Sequence, residues 1–275
     1  MAKIIAYANA KWYAEGAKFN GEAKVIDALL EMSDRIETEL PEHADVRAEL
    51  HHKFAEAISG YYSDGNFSPR EMENANSKVL FHKRRALELR REFYGERHEL
   101  VAKDMAYIVW TLDLEPAEQA KMMAEAIQMM RETNPNNLNL PYMLEFYANR
   151  LVSPNGYETE AELKYPHEEY HETFRQAAIP PTSENKYQLA ERYWREALPV
   201  YRFHYKEDNY AIFLAECNLV YVLAMQDKWT DFDEHFGICR QGETKAQGEA
   251  QLKGMRNLIE RVERTLVEKN RPNWR

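Results

Sequence analysis

Ala86-Leu87, Tyr94-Gly95-Glu96-Arg97-His98-Glu99-Leu100-Val101-Ala102 and Ile108-Val109-Trp110 form a pattern that returns 111 residues later. The second copy reads Ala197-Leu198, Tyr205-Lys206-Glu207-Asp208-Asn209-Tyr210-Ala211-Ile212-Phe213 and Leu219-Val220-Tyr221. A third echo, Pro41-Glu42-His43-Ala44-Asp45-Val46, sets His43 55 residues before His98. Repetition of this kind points to an architecture: each unit is a helix pair unable to bury its own apolar face, and stacking supplies the core.

The surrounding composition agrees. Proline is scarce inside the apolar-periodic stretches, while Ala, Leu, Glu, Lys, Arg and Met are plentiful, which favours helix. Alternating β-branched runs with hairpin turns are nearly absent; Asn155-Gly156 stands alone, between flanks that do not alternate. A chain of 275 residues is long for one compact core, yet no Gly/Ser-rich or Pro-rich linker divides it. We therefore expect an all-α chain: one elongated helical-repeat domain over 1–275, with an insert at 153–183 and a capping helix over 244–269.

The helices are expected in about five pairs. These are 4–17 with 22–40, 43–61 with 69–94, 97–113 with 116–133, 139–152 with 184–206, and 209–226 with 229–240. Ser68-Pro69-Arg70-Glu71 carries a helix-start signature, Gly95 a stop, and Asn134-Pro135 another stop. The insert, about 31 residues between Ser153-Pro154-Asn155-Gly156 and Pro180-Pro181, is long for a connection in a repeat array, and such segments are often functional.

A formal net charge of −10 excludes a typical nucleic-acid binder, which needs a basic face for phosphates. No window approaches the roughly 18 apolar residues of a membrane span, and polar Asn9, Lys11 and Glu15 interrupt the start. A cytoplasmic protein is expected. By spacing, Cys217 and Cys239 match neither a metal knuckle nor a disulfide framework. Cys217, on an apolar helix face, is expected to behave as a free thiol and small hydrophobe.

Residues 86–108 resemble the tetratricopeptide repeat, in the longer variety found in kinesin light chains and many bacterial regulators. That variety reads Ala-Leu-x-Ile, then Gly, then His-Pro-x-Val-Ala, then Asn-Asn-Leu-Ala. The matching residues are Ala86-Leu87-Glu88-Leu89, Gly95, His98, Val101-Ala102 and Ile108. The later copy keeps Ala197-Leu198, Asn218-Leu219 and Tyr221, with Lys206 for the glycine and Asn209 for the histidine. The resemblance implies a right-handed α-solenoid whose concave wall, built from first helices, binds an extended peptide or partner helix. The family's paired asparagines become His51-His52, Ala106-Tyr107, Glu145-Phe146 and Cys217-Asn218, so an aromatic groove replaces the backbone clamp.

His51, His52, Tyr107, Phe146 and Asn218 are thus the expected partner-binding positions. Aromatic side chains there supply contact area with few torsions to freeze. A basic stripe, Lys83, Arg84, Arg90 and Arg91, fits an acidic partner, although Glu88, Glu92 and Glu96 interleave at helical spacing. His167-Glu168-Glu169-Tyr170-His171 matches H-E-x-x-H, in which His167 and His171 would hold zinc and Glu168 would activate water. Against that reading, Pro166 makes the motif a helix start and the chain lacks strands to flank it. Trp110 and Trp194 fall at core spacing, and Trp274 is expected to touch a neighbour or second copy. The expected function is a non-enzymatic scaffold that needs no cofactor or metal and binds a protein or peptide. The alternatives are a zinc hydrolase and a self-associating module that forms a homodimer.

Overall fold

The computed structural model describes residues 43–63, 68–110, 114–152, 167–178 and 185–271. Among them every regular element is a helix. The helices are α1 (Ala44–Ser63), α2 (Pro69–Tyr94), α3 (Glu99–Val109), α4 (Pro116–Thr133), α5 (Asn139–Val152), α6 (His167–Ala178), α7 (Lys186–His204), α8 (Tyr210–Met225), α9 (Trp229–Lys245) and α10 (Glu249–Glu268). The chain divides into two compact units, 1–114 and 115–275, each considered by itself below. The opening pair expected over 4–17 and 22–40 lies outside the described residues, as do Trp274 and most of the insert.

The repeated pattern has a plain physical origin: it marks where a helix begins. The first turn of any helix leaves backbone N–H groups without intrahelical partners, and a side chain just ahead of it can take one. His98 Nδ1 accepts from Leu100 N at 3.2 Å, and its ring stacks on Tyr94 at 4.2 Å. Asn209, the equivalent residue of the later copy, accepts from Ala211 N through Oδ1 at 2.9 Å. His43 stands in the same place ahead of α1. Gly95 ends α2 with φ 83°, a left-handed conformation that glycine adopts without steric cost. The later copy stops α7 differently: Tyr205 is extended (φ −117°) and Lys206 takes the glycine's place. Asn185 opens α7 with a full capping box, its Oδ1 accepting from Tyr187 N and Gln188 N while Gln188 returns to its backbone N–H.

In the first unit α1 packs on α2 and α2 on α3. In the second, α5 packs against α4 and α7, α7 against α8, and α8 against α9 and α10. The core of this unit runs through Leu144, Tyr147, Trp194, Tyr201, Leu219, Val220 and Phe232. Trp194 is buried as its spacing predicts, whereas Trp110 closes α3 half-exposed, edge-on to Tyr107. The insert carries its own helix, α6, which packs on α4 and α5 and buries Phe174 against Tyr147 at 5.3 Å. The capping helix begins at Glu249 rather than 244, because α9 extends to Lys245. It buries Met255, Ile259, Val262 and Leu266 and turns its charged face outward.

One expectation needs correction. Cys217 and Cys239 are bonded to each other, joining α8 to α9. Both sit fully buried in facing helices with Cα atoms 4.8 Å apart, a proximity that sequence separation alone does not disclose. None of the described helices is long and apolar enough to cross a membrane.

Two outcomes follow. Asn209→Ala will lower unfolding free energy by about 1 kcal/mol in urea titrations, and Asn209→Asp will restore most of it. Cells lysed directly into denaturant and alkylating agent, without reductant, will yield protein that carries no alkylated cysteine. Two alkylated cysteines would instead report the reduced pair that a cytosolic setting maintains.

Candidate functional site

The expected binding positions share a register that the structure makes visible. On α3 the residues left partly accessible in mid-helix and at its end are Lys103, Tyr107 and Trp110. Thirty-nine residues on, α5 leaves Tyr142, Phe146 and Asn149 accessible. On α8 the equivalent positions, 111 residues beyond those of α3, are Leu214, Asn218 and Tyr221. The spacing i, i+4, i+7 is one face of a helix whose other faces are packed. Tyr107 and Phe146 each occupy the middle of their stripe.

Coverage differs along these stripes. Asn218 is only 7% exposed, and its side-chain amide donates to Leu214 O at 3.0 Å. Over α8 lies α10: the Arg261 guanidinium sits 3.5 Å from the Tyr221 ring centroid, and Gly254 meets Tyr210 so closely that a Cβ there would lie 2.6 Å from the phenol oxygen. The stripe of α8 is therefore largely closed by the chain itself.

In the first unit, His51 and His52 are buried rather than presented. His52, 2% exposed, lies between two carboxylates, with Nε2 3.2 Å from Glu56 Oε1 and Nδ1 3.4 Å from Asp104 Oδ1. The Tyr107 ring stands edge-on to it at 4.6 Å. Asp104 also meets Arg90 Nε at 2.9 Å, and Arg90 Nη2 donates to Glu49 at 2.8 Å. Neither Asp104 oxygen has a well-directed hydrogen bond, so its tie to Arg90 is chiefly an ion pair. His51 Nδ1 approaches His82 Nδ1 at 2.9 Å, with Phe54 and Phe81 beside the His82 ring.

The basic stripe has a similar fate. Arg90 is buried in the network just described, Lys83 donates to Tyr107 O at 2.8 Å, and Arg91 pairs with Glu96 at 3.1 Å. Arg84 alone of the four is exposed. Lys83 and Lys103 also lie over the Tyr107 ring, at 5.6 and 5.4 Å.

The second unit holds a cluster that sequence reading did not assemble. On α5, Tyr142 is 38% exposed and Glu145 and Phe146 are half-buried. Tyr201 of α7 donates to Glu145 Oε2 at 2.8 Å. The Tyr142 ring stands edge-on to Tyr201 at 5.5 Å, and its hydroxyl meets that of Tyr205 at 2.7 Å. Burial holds the Glu145 carboxyl above its usual range, against the opposing hydrogen bond from Tyr201. Glu145 thus sits where α5 and α7 pack together while keeping partial exposure. The signal was present in Tyr142-x-x-Glu145-Phe146, three residues on one helical face, but the contribution of α7 was not.

His167, Glu168 and His171 open α6, and their side chains lie outside the described residues. Among the described residues no three or more His, Cys, Asp or Glu side chains gather as metal ligands. Comparison with known proteins returns nothing: no family model matches the chain, and no curated protein matches it.

The buried histidines make acid stability testable. Burial first, and then the charges of His51 and Lys78, depress His82 from 6.5 to about 4. The unfolded chain takes up this proton near 6.5 and the folded one only near 4, so between those values the unfolded state binds more protons. Stability will thus fall as pH drops from about 6.5 to about 4. His82→Gln will flatten the upper part of that slope, above the carboxylate range, in urea unfolding followed by circular dichroism.

Proposed function

We propose that this protein is a non-enzymatic binding scaffold that holds a peptide or protein partner on the aromatic face of its first helices. The one observation that supports it most is the shared register of Lys103-Tyr107-Trp110 on α3 and Tyr142-Phe146-Asn149 on α5. Helices so thoroughly packed elsewhere keep large aromatic side chains accessible at equivalent positions. Aromatic rings held at low conformational cost are what recognition surfaces use.

On this reading the helices form a right-handed solenoid of the tetratricopeptide type. The sequence resemblance at 86–108 and the capping role repeated at His98 and Asn209 support that arrangement. The partner-facing residues are Tyr107, Trp110, Tyr142 and Phe146. His52 acts from beneath, edge-on to Tyr107, His51 is packed on His82, and Asn218 belongs to a helix that α10 covers. The insert helix α6 lies on α4 and α5, where it buttresses the helix that carries Phe146.

The test is selection from a displayed library of random dodecapeptides, followed by fluorescence anisotropy on the winners. Tyr107→Ala or Phe146→Ala, according to the unit a peptide engages, will weaken the selected peptides by about tenfold or more, as a truncated anchor does. Phe203→Ala, removing a side chain 71% exposed on α7 and outside the stripes, will leave affinity unchanged. Selection that enriches no peptide over the input, or winners indifferent to both stripe substitutions, would overturn the proposal.

A further inference from the structure

Among the described residues, most of the enclosed carboxylates follow one rule. Taking a carboxylate out of water is costly unless a cation or several donors compensate it. Asp104 has Arg90 at 2.9 Å. Glu191 has Lys228 at 2.6 Å and Arg195 at 2.9 Å, and they overcome the opposing effect of burial to hold its carboxyl below the usual range. Glu216, wholly buried, has Arg202 and, at 2.6 Å, His235. Glu196 has Arg131. Among the described residues Glu145 has no cation beside it. Its Oε2 accepts from the Tyr201 phenol at 2.8 Å, and its Oε1 has no partner among the described residues.

What surrounds that open oxygen is aromatic. Tyr201 lies behind it, Tyr142 stands edge-on to Tyr201 at 5.5 Å, and Tyr205 stacks on Tyr201 at 6.1 Å. The Tyr142–Tyr205 hydroxyl contact at 2.7 Å ties two of these rings together across α5 and the end of α7. Tyr210 is near enough for the Glu145 charge to help raise its phenol, after burial. A carboxylate among tyrosine rings offers charge and π-faces to the same guest, and that guest is a cation. Tyr142 is itself 38% exposed, and Glu145 keeps partial exposure beside it. The net charge of −10 draws such a guest toward the molecule.

We infer that Glu145, framed by Tyr142, Tyr201 and Tyr205, is the seat for a single basic side chain, lysine or arginine, of the bound peptide. The inference rests on the scaffold reading and names the chemistry of its partner. One cation is specified rather than a basic run, because Tyr205 and Tyr210 also line a neighbouring cleft of about 350 Å³ in whose lining the lysines Lys206 and Lys245 outnumber the one carboxylate, Asp208. A second positive charge on the peptide would meet those lysines, whereas an acidic residue beside the basic one would pair with them.

The experiment divides the displayed library into three pools, with the central position fixed as Lys or Arg, as Asp or Glu, or as Leu or Phe. The full-length protein will enrich the basic pool, and its winners will weaken at least tenfold on Glu145→Gln and on Tyr142→Ala. Glu145→Gln will unfold at the same temperature as the parent or higher, since the amide oxygen still accepts from the Tyr201 phenol and the cost of an uncompensated carboxylate is removed. Glu145→Leu provides a second variant that binds no cation and suits an aromatic surround. Enrichment of the acidic or apolar pool, or winners indifferent to both Glu145 variants, would overturn this inference and leave peptide binding standing. Enrichment of no pool would overturn the scaffold reading, and this inference with it.

Discussion

An amphipathic helix must bury its apolar stripe, and in this chain most helices bury considerably more than that. On α8, ringed by α7, α9 and α10, the apolar residues run almost all the way round. α5 lies against α4, α6 and α7, yet it retains one narrow accessible face. What distinguishes the two is where those neighbours lie: α10 reaches the α8 stripe, with Arg261 over Tyr221, and placement of this kind determines which helix has a surface left to offer. The candidate site is the remainder after packing. Its residues are legible as a site because everything around them has been used for the fold.

Enclosed charge obeys the same economy of position. The first unit threads Glu49, Arg90, Asp104, His52 and Glu56 between its helices, and the second secures Glu191 and Glu216 with cations from neighbouring helices. Such networks tie helices in one register, because each charged group left alone would be costly. They also account for the loss of the basic stripe: Arg90 and Lys83 serve contacts between helices instead of a partner. Against that background Glu145, which among the described residues has a tyrosine phenol rather than a cation beside it, is the position we propose for a charge from outside the chain.

Much of the fold was legible in the sequence for local reasons. The helix starts at Pro69, Pro116 and Tyr210, and the stop at Gly95, depend on residues within one turn of the boundary, so a linear reading reaches them. The stripe centres Tyr107 and Phe146 were legible because the repeat fixes their register. Depth was not legible. His51 and His52 sit at equivalent positions to those aromatics but have α2 and α3 packed over them, and nothing within α1 records that. The Cys217–Cys239 bond, the tyrosine frame drawn from α7, and Arg261 over Tyr221 likewise join residues that only tertiary packing brings together.

The central claim is that a partner lies along the accessible stripe of α5. The most direct measurement places the photo-crosslinking residue p-benzoylphenylalanine at Phe146 in one sample and at Phe203 in another, each irradiated with a selected peptide. The account predicts a crosslinked adduct from position 146, abolished by excess unlabelled peptide, and none from position 203. An adduct from position 203 with none from 146 would place binding on another face of the molecule and contradict it.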